Sequence, residues 1–332
     1  MYLDNPQVVI LFAVVVVTML LIDLGVFNRH SHEISNKEAI VWSIVWISIS
    51  MLFSVYIYYT FSEEKGLEKF AQFQSAYWIE KALSVDNLFV FILVFNFFNV
   101  PKVYHHKVLF WGIIGALLMR AIFIFSGVEL IRFTYLPSFT IFNNTIKINL
   151  LLTFFGLFLI YAGLKSWFIK NEEEESDDFG KSLGAKFVLR FFNISDNFDG
   201  DKFFTVRNGV RLATPLLLVV GVIEFTDLLF AVDSIPAIFA IAPEDPFILY
   251  TSNIFAILGL RSLYFLLSNF IHMFSRLKYG LAVILVFIGL KMLISPVFHI
   301  SSTISLSVVG GVLFISTFFS VFFPVKTDSN HE

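Results

Sequence analysis

Apolar residues run along this chain in long unbroken blocks. They show neither the two-residue alternation of half-buried strands nor the one-sided stripe of a surface helix. Blocks near twenty residues are long enough to cross a hydrocarbon core of about 30 Å. The pattern predicts nine such helices, at 8–26, 39–60, 71–97, 105–128, 149–169, 212–241, 248–271, 277–294 and 302–324. No run has the alternation of an outer-membrane barrel strand. The first block has no Lys or Arg before it and no small-residue cleavage site after it, and it reaches Asp23, so it reads as a span rather than a cleaved signal.

Composition strengthens this reading. The 332 residues are 57% hydrophobic and include 43 Phe, the mean hydropathy is +0.80, and 15% are charged, against about 25% in soluble domains. The predicted fold class is an all-α polytopic membrane protein, a single transmembrane domain over 1–332. Cys is absent, which excludes disulfides and thiolate metal sites. No phosphate-cradling Gly loop or nucleophile elbow occurs, which argues against an ATP-driven pump or a hydrolase. No catalytic set, resident cofactor or nucleic-acid partner is expected; the bilayer is the expected surrounding.

Charge sets the expected orientation. With the N-terminus outside, the inner connections and tail hold fifteen Lys and Arg, including Arg29, Lys102, Lys107, Lys186, Arg207 and Arg276; the outer ones hold Lys65, Lys69, Arg132 and Lys147. The positive-inside rule therefore predicts N-terminus out and C-terminus in. The connection at 170–211 becomes a cytoplasmic loop, opening with the acidic run Glu172 to Asp178, which reads as solvated. Asp196, Asp199 and Asp201 flank Gly200, but the spacing is not that of a calcium-binding EF-hand.

Two segments match. Glu80 to Asn87 in the third span and Asp227 to Ser234 in the sixth each place an acid, five residues, then Val-Asp and a small polar residue. Arg120 and Arg261 follow in the next spans, and Gly163-Leu164-Lys165 and Gly289-Leu290-Lys291 in the ones after. The repeats are spans 3–5 (71–169) and 6–8 (212–294), with 302–324 a final helix. Because each has an odd number of crossings, the second must be inverted, an architecture that places a transporter's substrate site where the halves meet.

Buried acids need a reason, since an Asp at the bilayer centre costs about 2.5–3.5 kcal/mol on the insertion scale. Glu80, Asp86, Glu224, Asp227 and Asp233 lie inside spans, and Asp23 near the end of one. Arg120, Arg261, Lys291 and Lys81 are candidate charge partners. At about 100° per residue Glu80 and Asp86 diverge, so their helix is either enclosed by protein or distorted. Pro236, which removes the bond to the carbonyl of Val232, predicts bending in the sixth span. Carboxylates with Ser84, Asn87, Ser234 and Asn253 form a hard oxygen set suited to Mn²⁺, Mg²⁺ or Ca²⁺. Buried acids that bind a divalent cation also exchange protons for it, which makes the proton the candidate coupling ion.

At these residues the chain resembles the TerC family of integral membrane proteins, and its Alx branch most. The stretches "IEKALSVDNLFVF" (79–91), "VIEFTDLLFAVDSIPAIFAI" (222–241), "TSNIFAILGLRSLYFLL" (251–267) and "LKYGLAVILVFIGLKMLI" (277–294) carry the resemblance. It implies a bacterial inner-membrane, multi-pass protein of the LysE transporter superfamily that exports Mn²⁺ as substrate for manganese homeostasis. The metal-binding acids it implies are Glu80, Asp86, Glu224, Asp227 and Asp233. Two alternatives stand beside it: a membrane-protein assembly or insertion factor without transport, and an exporter of another cation or cationic solute.

Overall fold

The structure, a computed structural model, describes residues 6–27, 35–61, 63–141, 144–168, 179–207, 209–270, 277–298 and 300–322. Within them the side chains of Asp23, Asp86 and Asp233 lie outside the described part, as does the acidic run Glu172 to Asp178. Eleven helices are described: α1 (Pro6–Phe27), α2 (Asn36–Thr60), α3 (Glu63–Phe97), α4 (Lys102–Phe133), α5 (Leu150–Phe168), α6 (Leu183–Phe191), α7 (Pro215–Phe239), α8 (Pro246–Leu258), α9 (Leu260–Phe270), α10 (Leu277–Ile294) and α11 (Ser302–Phe322). Two antiparallel hairpins join them, β1 (Phe139–Ile141) with β2 (Asn144–Ile146) and β3 (Phe204–Arg207) with β4 (Val210–Ala213).

Five described helices, α2, α4, α5, α7 and α11, are long and apolar enough to cross a membrane, and a sixth is gained if the bent pair α8–α9 counts as one span. Their exposed positions are apolar too: Leu52, Leu118, Ile122, Phe154 and Phe314 face outward. A water-soluble protein would bury such side chains; here they suit hydrocarbon. Starts follow local signals. Pro215 and Pro246 stand in first turns, and the Asp245 carboxylate accepts the Ile248 N–H at 3.1 Å while pairing with Lys69 at 2.6 Å.

The segment 170–211 is more than a plain loop, because α6 and β3–β4 occupy much of it. Helix α6 presses Gly184 against the backbone of α7 at Gly221, where a Cβ would come 2.6 Å from the carbonyl oxygen.

Helix α3 runs through the middle of the bundle and touches α2, α7, α8, α9, α10 and α11, and α7 touches α3, α4, α5, α6 and α10. The divergence of acids along α3 is therefore met by enclosure, and α3 stays helical past Asp86. The chain is not unwound at Pro236: α7 is helical through it and ends one turn later, at Phe239. So near a helix end the ring leaves only the Val232 carbonyl without its usual donor. The break lies instead at Gly259, where α8 and α9 meet at 40°.

The tightest pairing is α5 on α10. A Cβ on Gly156 would stand 3.0 Å from the Gly289 carbonyl oxygen, and one on Gly289 would stand 2.6 Å from the Gly156 oxygen. Seven residues along, Gly163 meets the Ala282 carbonyl at 2.7 Å by the same measure. The rising and falling numbers make the pair antiparallel. Small residues give such backbone contact where lipid supplies no hydrophobic drive between helices.

Candidate functional site

Four elements bring charge to one point. Helix α3 supplies Glu80, α4 supplies Arg120, α7 supplies Asp227 and α8 supplies Asn253, and the side chains of Glu80, Arg120 and Asn253 are fully buried. The Arg120 guanidinium donates through one terminal nitrogen to Glu80 Oε1 and, at 3.2 Å, to Asn253 Oδ1. Its other terminal nitrogen donates to Asp227 Oδ1 at 3.3 Å. Ser84, one turn along α3, donates to Glu80 Oε1 at 3.4 Å. The rigid guanidinium fork suits this task, since it presents several donors in one plane to two separate carboxylates.

The cluster is not fully satisfied. Among the described residues, Glu80 Oε2, Arg120 Nε and Asn253 Nδ2 are buried without a hydrogen-bond partner, as is Ser234 Oγ, about two turns beyond Asp227 along α7. Buried polar atoms are nearly always partnered, so these depart from the usual rule. Arg120 faces two acids here, and buried Arg261 lines a pocket beside one of them, Asp227.

The other expected residues are distributed around this core. Glu224, half-buried on α7 three residues before Asp227, lies against Gly115 of α4, with the carboxylate where a Cβ of residue 115 would be. Asn87 is buried farther along α3. Asp86 and Asp233 have backbone places on α3 and α7, one residue before Asn87 and Ser234, and their side chains lie outside the described residues, as does that of Asp23. Arg261 is buried on α9 and lines a small pocket with Asp227, Gly112 and Ala116. Lys291 donates to Ser305 of α11 at 2.9 Å rather than to an acid. Among the described residues no three His, Asp or Glu side chains are grouped closely enough to hold a metal ion; the described acids instead meet around Arg120.

Two glycines at the site carry a signal that sequence reading passed over. Gly115 accommodates Glu224. Gly259, at the α8–α9 break, accommodates Lys81: a Cβ there would stand 2.6 Å from Nζ, which donates to the Ala256 carbonyl at 3.2 Å. An ammonium on the last carbonyls of α8 meets the negative end of a helix dipole, and a side chain entering the bonding ladder is a recognised cause of a kink. Farther along α4, His105 stacks on Phe95 with centroids 4.1 Å apart and bonds Tyr264 at 2.9 Å, tying α3, α4 and α9 together.

The family profile described as the integral membrane protein TerC family matches residues 65–328. Among curated relatives, the uncharacterized membrane protein STKORF319 of Myxococcus xanthus is 44% identical over 304 residues, covering 91% of this chain and 88% of its own. A Salmonella typhi protein named "Putative membrane-bound redox modulator Alx" is 44% identical over 326 residues, 97% of this chain and 94% of its own. The Escherichia coli K12 protein of that name is 42% identical over 307 residues, 91% of this chain and 90% of its own. No solved structure matches the chain.

Proposed function

The chain belongs to the TerC family of integral membrane proteins, and from that premise we propose that it is a secondary transporter that exports Mn²⁺ from the bacterial cytoplasm across the inner membrane. One observation carries the reading: buried Glu80 of α3 and Asp227 of α7 converge on Arg120, beside Asn253 of α8, with Glu80 Oε2 left unpartnered. Charges placed inside a membrane protein mark ion pathways and proton relays by default. Hard carboxylate and amide oxygens fit a divalent cation such as Mn²⁺, and manganese among these follows from the family resemblance.

Arg120 has a clear part in this reading. It holds the place of the cargo, neutralising an acid from each half while no metal is bound. Mn²⁺ reaches Glu80 and Asp227 with help from Asp86, Asp233 and Glu224, and the guanidinium gives way. Protons taken up by the same carboxylates return the charge on the reverse stroke, making the exchange Mn²⁺ for H⁺.

The α5–α10 pairing supports the inverted repeat. Gly163 and Gly289, matched between repeats, each lie on the other half's backbone, and Gly156 and Ala282 exchange roles in the same way. That reciprocity is what a two-fold axis between inverted halves produces. The relatives' name speaks of redox, yet a chain without Cys has no thiol couple of its own.

Elemental analysis of cells after a Mn²⁺ load tests the proposal, comparing wild type with Asp86→Asn, Asp227→Asn and Asp233→Asn at matched membrane abundance. Wild type should lower cellular manganese selectively and the variants should not. Equal manganese, magnesium and calcium in all strains would remove the exporter reading and advance the assembly-factor one.

A further inference from the structure

Most glycines of the bundle are small for ordinary reasons. Gly156, Gly163 and Gly289 admit a neighbouring backbone, and Gly127 admits the ring of Phe239. Gly115 differs. A Cβ there would lie 1.9 and 2.1 Å from the carboxylate oxygens of Glu224 and 2.2 Å from its carboxyl carbon. Among the described glycines it is the one whose missing side chain is replaced by a carboxylate.

That carboxyl group lacks the bonded partner its neighbours have. Glu80 and Asp227 both bond to Arg120, whereas no hydrogen bond or ion pair joins Glu224 to a described residue. Helices α4 and α7 run parallel, since Gly112 meets Ile223, Gly115 meets Glu224 and Arg120 meets Asp227 in rising order. Glu224 therefore precedes Asp227 along the seam, on the side where α7 emerges from the basic 181–211 segment. In the proposed orientation that side is cytoplasmic, so Glu224 lies on the cytoplasmic side of the Arg120 cluster.

We infer that Gly115 is a positioning residue: its bare Cα forms a slot in the α4–α7 seam that holds the Glu224 carboxyl group, on the cytoplasmic side of Arg120, as a ligand for the exported divalent cation. The inference rests on the exporter reading for its cargo and on geometry for the slot. A methyl at position 115 must push the carboxylate oxygens out from 1.9 Å to at least 3.0 Å. The methyl thus moves the head off its place on α4, where Ile223 already covers neighbouring Gly112. Losing one contact to a charged ligand corresponds to about tenfold or more in affinity.

The test uses Mn²⁺ uptake by everted membrane vesicles containing full-length protein. Gly115→Ala should raise the apparent KM for Mn²⁺ about tenfold, with maximal rate and abundance near wild type. Adding Glu224→Asp, one methylene shorter, should recover most of that loss, a rescue that a purely structural role of Gly115 would not produce in KM. In parallel, purified protein is treated with a hydrophobic carbodiimide and the adduct at Glu224 is followed by mass spectrometry. Its rate should change at least about threefold in Gly115→Ala, and Mn²⁺ should suppress it in wild type. An unchanged KM and unchanged labelling in Gly115→Ala would overturn the slot while leaving export intact. Altered labelling in a protein whose wild type moves no Mn²⁺ would keep the slot and discard the cargo.

Discussion

Two seams in this protein place a charged head group on a glycine, and they do so with opposite sign. Where α3 meets α8 and α9, the Lys81 ammonium sits on Gly259 and is answered by the Ala256 carbonyl at a helix end. Where α4 meets α7, the Glu224 carboxylate sits on Gly115 and no described donor answers it. The same device therefore serves two ends. A cation lodged against terminal carbonyls is part of the architecture, because the backbone supplies its counter-charge and is bent in return. A carboxyl group lodged against a bare Cα gains no such partner, and in the proposed function a ligand that comes and goes supplies one.

The largest effect should come from removing the group that joins the two seams. Arg120→Gln leaves Glu80 and Asp227 buried without their cation, and such losses cost about 3–5 kcal/mol. The expected outcome is a steep fall in membrane abundance and in the unfolding temperature of the detergent-solubilised protein. The double variant with Glu80→Gln should regain much of it. Equal stability of Arg120→Gln and wild type would mean that the cluster is not what binds the seams.

Next comes the contrast itself. Lys81→Gln orphans the Ala256 carbonyl and should cost about 1–3 kcal/mol of stability, visible as a lower unfolding temperature with the KM for Mn²⁺ little changed. Glu224→Gln should do the reverse: a change below about 1 kcal/mol and a large loss of transport. If both variants shift the same observable, the division into a structural and a functional seam is wrong.

The smallest effect lies outside the membrane. Lys107 donates to the Asp201 side chain at 2.9 Å and to its carbonyl at 2.6 Å, and that hydrogen bond holds the Asp201 carboxyl below its usual range. A depressed carboxylate stabilises the fold above its unfolded pKa, near 3.9, and the contribution disappears as pH falls through the lower folded value. With half of the Asp201 side chain exposed, screening keeps this below about 1 kcal/mol. Asp201→Asn should melt slightly lower than wild type at pH 6, and the two should coincide near pH 2.

Helices and acids were legible in the sequence because each is written in one residue type or one run. Blocks such as 105–128 and 212–241 are apolar apart from a few His, Ser and Thr and the charges, so α4 and α7 could be placed and Arg120, Glu224 and Asp227 flagged within them. The cleft partners were harder. Gly115 and Gly259 look like helix-packing glycines until the third dimension shows a carboxylate and an ammonium upon them. Pro236 stands a turn from the end of α7, where its ring removes one backbone bond without ending the helix. The kink lies at Gly259, against which Lys81, distant in sequence, is packed. Nor could spacing foresee α6, a short helix set inside a segment whose charges read as solvated loop.

The α5–α10 pairing has a consequence for how the halves can part. Gly156, Gly163 and Gly289 bring backbone onto backbone, a form of adhesion that no ion, proton or membrane voltage can switch off. The seams around Arg120 are glued by charge, which a divalent cation can compete for and a proton can cancel. Permanent adhesion is thus placed along one line and reversible adhesion along others, and a molecule assembled that way has its choice of moving joint made by chemistry rather than by flexibility.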